Sequence, residues 1–139
     1  MEYKKNKSQI LLQLDRGEEV ISSILSLAEK EQIQCAQISA IGAADRIEIG
    51  LYNVEQKQYK SSVFAGDFEI LSCEGNLSQN LNKPYLHLHL SFGDEKHQVY
   101  GGHLNYCRIS GTFECVINLI DIKVDRKKDE VTGLNVWKF

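Results

Sequence analysis

Residues 15–31 read Asp15-Arg16-Gly17-Glu18-Glu19-Val20-Ile21-Ser22-Ser23-Ile24-Leu25-Ser26-Leu27-Ala28-Glu29-Lys30-Glu31. Val20, Ile21, Ile24, Leu25 and Ala28 fall on one stripe at helical spacing, which predicts a helix from Glu18 to about Glu31. Asp15 followed three residues later by Glu18 has the form of an N-terminal capping box, with Gly17 letting the chain turn in from a preceding strand. The charged run Glu29-Lys30-Glu31-Gln32 ends it. No other stretch carries this periodicity. One helix amid many strands predicts an α+β fold, a mainly antiparallel sheet curled around a single principal helix.

Outward from the helix, everything reads as strand. On the N-terminal side Ile10 to Leu14 is a short apolar run, the expected first strand. On the other side come Cys35 to Ala44, with a bend at Gly42, and then Ile47, Ile49 and Leu51 alternating with Arg46, Glu48 and Gly50. A polar turn at Asn53 to Lys57 precedes a strand around Tyr59 to Phe64, and Phe68 to Gly75 is another. Asn76 to Lys83 reads as a loop leading to Pro84, the only proline. Tyr85 to Phe92 and His97 to Tyr100 flank the polar turn Gly93-Asp94-Glu95-Lys96 as a hairpin. A long strand follows from about Phe113 to Val124, then a solvated turn of mixed charge from Asp125 to Glu130, then a last strand within Val131 to Phe139. With no repeat and no linker, residues 1–139 read as one domain.

Composition narrows the class. The chain has 139 residues, 42% of them apolar, enough for a core without metal or disulfide staples. No run approaches the roughly 20 apolar residues of a membrane helix. The basic start Met1 to Lys7 has no apolar stretch behind it, so no secretory signal is expected. Cys35, Cys73, Cys107 and Cys115 lack CxxC spacing and sit in apolar or alternating runs. Buried free thiols in a cytoplasmic protein are therefore expected, with a thiol zinc site or a disulfide framework as the alternatives. The net charge of −3 argues against a protein whose main work is neutralising phosphates.

The chemistry lies in the histidines. In Tyr85-Leu86-His87-Leu88-His89-Leu90 a strand puts the leucines on one face and both imidazoles on the other, about 7 Å apart at Cα. Such a pair reads either as two ligands of one metal ion or as a solvated polar face. His103 strengthens the first reading. It follows Gly101-Gly102, at the far end of the strand that the hairpin folds back toward His87 and His89. Three imidazoles would leave a tetrahedral Zn²⁺ one open position, though imidazole also accepts Ni²⁺, Cu²⁺ or Fe²⁺. His97, in the polar turn, reads as surface. Glu69, Glu74 and Glu114 are carboxylates inside apolar strands. Glu69 and Glu114 are the candidates for a general base or for orienting a ligand histidine, with plain outward alternation as the other reading; Glu74 reads as a wet face.

Three patches together resemble a known family. They are Ala40-Ile41-Gly42-Ala43; Gly66-Asp67-Phe68-Glu69-Ile70-Leu71-Ser72 with Gly75-Asn76; and His87-Leu88-His89 followed by Gly101-Gly102-His103-Leu104. They are similar to the plant and prokaryote conserved (PPC) domain in its stand-alone bacterial or archaeal form. The resemblance implies a compact α+β subunit, a homotrimer, and a metal, typically zinc, associated with His87, His89 and His103. It also implies a fold similar to that of acetolactate decarboxylase, a zinc enzyme with three histidine ligands, although a fold does not transfer a reaction. The family's other association is DNA, through AT-hooks attached in plant members. This chain has no Arg-Gly-Arg core, and Asp67 stands where the plant pattern carries arginine. The short groups Lys4, Lys5, Lys7 and Arg126, Lys127, Lys128 are the remaining basic runs. The expected function is a three-histidine metal site that binds or transforms a small molecule. The alternatives are a DNA-binding regulator without an AT-hook, and a partner-binding trimer whose histidines are only a polar patch.

Overall fold

Alternation decides the inside of this protein. In the computed structural model, which describes residues 1–139, strand β1 (Glu2–Lys5) is followed by β2 (Gln9–Leu14). Ile10, Leu12 and Leu14 of β2 are buried while Gln9, Leu11 and Gln13 face out. Helix α1 (Val20–Lys30) buries Val20, Ile24, Leu27 and Ala28. Six strands complete the chain: β3 (Ala36–Asn53), β4 (Gln58–Asn80), β5 (Lys83–Gly93), β6 (Val99–Leu119), β7 (Asp125–Lys128) and β8 (Asn135–Lys138). The sheet order is β1-β2-β6-β3-β4-β7-β8, and β5 pairs with both β4 and β6. Strands β3, β4, β5 and β6 therefore close a circuit, with α1 packed inside against β5 and β6. The pairing is antiparallel apart from a single parallel bridge, Gln79 with Asp125. The expected α+β class with an antiparallel sheet around one helix is what the chain adopts.

Local readings needed correction. The helix begins at Val20, and its cap is Glu19, whose carboxylate accepts from the backbone N–H of Ile21 and Ser22 at 3.0 and 2.7 Å. Asp15 and Glu18 instead close the turn before it, where Gly17 has a φ of +90°. Both of their carboxylates also meet the N-terminal ammonium. The expected breaks at Ala44 and Phe64 are absent, because β3 absorbs its irregularities as bulges between Ala40/Gly42 and Ala44/Arg46 and continues. The supposed loop from Asn76 to Lys83 is mostly strand, turned by Leu81 and Asn82, which both have positive φ. Its polar residues fit inside because they are satisfied: Gln79 Nε2 donates to the carbonyls of Ile33 and Gln34, and Ser78 Oγ accepts from Arg126. The long last strand runs from Val99 and stops at Leu119, rather than spanning Phe113 to Val124. Asp125 to Lys128 is not a solvated turn but β7, paired with β8.

All four cysteines are buried and free, as expected for small hydrophobes. Burial pushes the thiols of Cys107 and Cys115 up to about 12, and none of the four joins the group of side chains that could hold a metal ion. No helix is long and apolar enough to cross a membrane.

Candidate metal centre

The period of two in β5 builds half of the site. Leu88, Leu90 and Phe92 enter the core, which forces His87 and His89 onto the outer face of the sheet. Antiparallel register supplies the rest, setting His103 of β6 directly opposite His89. The three imidazoles form a nearly equilateral triangle, with ring centroids 5.2, 5.1 and 5.6 Å apart. Their nearest ligand nitrogens all lie within 4.8 Å of one another. Rings around one tetrahedral ion with bonds of about 2.0–2.1 Å would have centroids roughly 5 Å apart, so the donor set fits a single transition ion.

Close backbone packing supports His103. A Cβ on Gly102 would lie 2.8 Å from the Gly50 carbonyl and 3.3 Å from Ile49 Cβ, so glycine lets β6 lie against β3 at this point. A Cβ on Gly50 would overlap the Tyr59 hydroxyl. That ring is set edge-on to His103 at 6.2 Å and donates from its hydroxyl to Asn105 Oδ1 at 2.7 Å.

Two of the three imidazoles, His87 and His103, are shifted toward the neutral form, the form that can ligate a metal. Burial, followed by the neighbouring His103, His89 and Arg126 charges, pushes His87 down to about 4. Burial and then His89 also lower His103. In metal-free protein this has a pH consequence. An unfolded His87 takes its proton near 6.5 and the folded one only near 4, so between those values the unfolded chain binds more protons. Stability should therefore fall as pH drops from about 6.5 toward 4, and less steeply in His87→Asn. Melting temperatures across that window test this, together with an NMR titration of His87; an imidazole titrating above pH 6 in the folded protein would contradict it.

Beside the triad lies a cavity of about 720 Å³, whose wall includes Tyr52, Tyr85, Leu134, Val136 and Trp137. Arg126 of β7 lines it too, stacked on the Tyr85 ring at 4.4 Å. In the sequence Arg126 reads only as part of a basic run, because its neighbours Lys127 and Lys128 are equally charged and nothing local marks which of the three turns inward.

The carboxylates are placed elsewhere. Glu69 pairs in register with Ala43 and Gly93, and Glu114 lines a separate concavity of about 560 Å³ with Leu11 and Ile41. Neither lines the histidine cavity. Glu74, read as a wet residue, is exposed, but it lies across from His89 in register and accepts from Ser39 Oγ at 2.7 Å. Of the three it is the carboxylate beside a histidine of the triad. His97 is exposed in the turn, as expected.

Fold and site together define a class of protein: a closed antiparallel sheet that presents three imidazoles outward at the edge of a cavity. The chain belongs to the family described as the Plants and Prokaryotes Conserved (PCC) domain, whose model matches residues 1–121. Among solved structures it is similar to a metal-containing protein of Archaeoglobus fulgidus, with 36% identity, a TM-score of 0.88, and 99% of this chain and 97% of that one covered. It is also similar to a protein of Bacteroides thetaiotaomicron provisionally described as DNA-binding, with 25% identity, a TM-score of 0.96, and 99% and 96% covered. A Staphylococcus aureus protein likened to α-acetolactate decarboxylase shares the fold alone, at 12% identity and a TM-score of 0.59, over 90% of this chain and 56% of that one. No curated protein matches the chain.

Proposed function

We propose that this protein holds one divalent transition ion, zinc in the first instance, on His87, His89 and His103, and binds or transforms a small molecule in the adjoining cavity. The observation that carries this is the triangle of imidazoles opening onto a ligand-sized cavity. The metal-containing relative from Archaeoglobus supports it. A bound ion would supply Lewis acidity toward a ligand oxygen or a water. The chain's own residues would exclude bulk water through Tyr85, Leu134 and Trp137, hold His87 and His103 neutral by burial, and brace His103 through Tyr59.

Elemental analysis of protein purified without a histidine tag tests the reading, with about one ion per chain expected and less than about 0.2 overturning it. The competing reading, a DNA-binding regulator, takes its support from the designation of the Bacteroides relative. The net charge of −3 and the turning of Arg126 into the cavity weigh against it.

We also propose a cytoplasmic homotrimer. The four buried free thiols favour a reducing compartment. Leu11 and Ile41, 56% and 57% exposed, lie on β2 and β3, on either side of β6, and line one concavity that offers an apolar surface for a second copy. Light scattering should give three chain masses; a monomer would refute the assembly.

A further inference from the structure

Arg126 is the only permanently charged side chain lining the histidine cavity, and it has no counterion. None of the five ion pairs in the protein includes it. Its surroundings are neutral acceptors instead: Nε donates to Ser78 Oγ, Nη2 to Asn76 Oδ1 and Nη1 to the Asn135 carbonyl, each at 2.8 Å. A guanidinium has five N–H groups, so one remains on each terminal nitrogen, the number that a carboxylate gripped by two hydrogen bonds uses. The three bonds and the stacking on Tyr85 hold the group in one orientation. A half-buried cation with rigid spare donors and no anion is costly to keep for structure alone.

We propose that Arg126 docks the carboxylate of a small organic acid whose apolar body lies along Leu134, Val136 and Trp137, within reach of the three-histidine centre. The wall argues for an organic body rather than an inorganic ion. Leu134 and Trp137 remain 39% and 43% exposed, apolar surface that such a body would cover. A volume of about 720 Å³ suits a molecule of that size. Arg126 comes from β7, Val136 and Trp137 from β8 and Leu134 from the turn between them, beyond the residues 1–121 matched by the family model. The inference rests on the reading of the cavity as a ligand site, and it does not require the metal.

The test uses the full chain, metal-free and zinc-loaded in parallel, titrated calorimetrically with benzoate, with its uncharged counterpart benzamide, and with inorganic phosphate. Trp137 is the only tryptophan, so its emission reports whether binding occurs at this wall. Benzoate should bind about tenfold more tightly than benzamide and perturb Trp137, because the charge-assisted fork is lost with the amide. Phosphate should bind more weakly than benzoate. In Arg126→Gln the preference for benzoate should shrink to within about twofold, while Arg126→Lys keeps part of it. Arg126 also anchors the Asn135 carbonyl, so each variant is checked by melting; if Arg126→Gln loosens the hairpin, the wild-type contrast between acid and amide still decides. Equal binding of benzoate and benzamide, no binding of either, phosphate as tight as benzoate, or an undiminished preference in folded Arg126→Gln would overturn the proposal. Zinc uptake without anion preference sinks this inference alone. Anion preference without zinc uptake sinks only the metal reading.

Discussion

Alanine in place of His87, His89 or His103 should each empty the metal site while leaving the fold intact. Structural zinc binding is worth about 10–16 kcal/mol shared among four ligands, so losing one ligand should weaken zinc by about 10²–10³-fold. The fold should survive because these side chains lie on the outer face, opposite Leu88, Leu90 and Phe92, which carry the packing. Elemental analysis and competition with a chromogenic chelator measure the loss, and unchanged circular dichroism certifies the fold. Variants that retain the wild-type metal content would refute the assignment of these residues. The three substitutions should also fail alike, since the nearly equal ring separations make no one histidine peripheral.

The largest expected effect on stability is at Phe92. This side chain is fully buried and packs against Phe64 at 5.1 Å, Phe68 at 5.1 Å and Tyr100 at 5.7 Å between ring centroids. Removing it leaves a cavity among rings that cannot collapse to fill it, so Phe92→Ala should cost about 3–5 kcal/mol. Against a typical total of about 5–15 kcal/mol, that is much of the stability of the domain. It should also reach the metal site, because Phe92 pairs with Tyr100 on the same two strands that align His89 with His103. Urea denaturation should show a lower midpoint with an unchanged slope. A loss under about 1 kcal/mol would contradict this account of the core. Should Phe92→Ala fail to fold, Phe92→Leu, with an expected cost of about 1.5 kcal/mol or less, provides the gentler measurement.

Much of the candidate site was legible because a strand has a period of two. The alternation of Leu86, Leu88 and Leu90 with His87 and His89 needs no partner strand to separate core from surface. The class of fold was legible for a similar reason, one helical stripe standing among alternating runs. Boundaries were harder. Polar residues of β4 such as Asn76, Ser78 and Gln79 imitate a loop until Ile33, Gln34 and Arg126 arrive as their hydrogen-bond partners. The cap was misplaced by a similar margin, since both Glu18 and Glu19 follow Asp15 and only the path of the turn at Gly17 decides which reaches the helix amides.

Short-range pattern alone therefore determined the α+β class, the burial of the cysteines and the shared face of His87 and His89, because each follows from the geometry of a single helix or strand. The distance from His103 to that pair, the exclusion of Glu69 and Glu114 from the cavity and the inward turn of Arg126 were settled only by tertiary structure. Each depends on the register between strands far apart in the chain, and no local preference of a residue encodes that register.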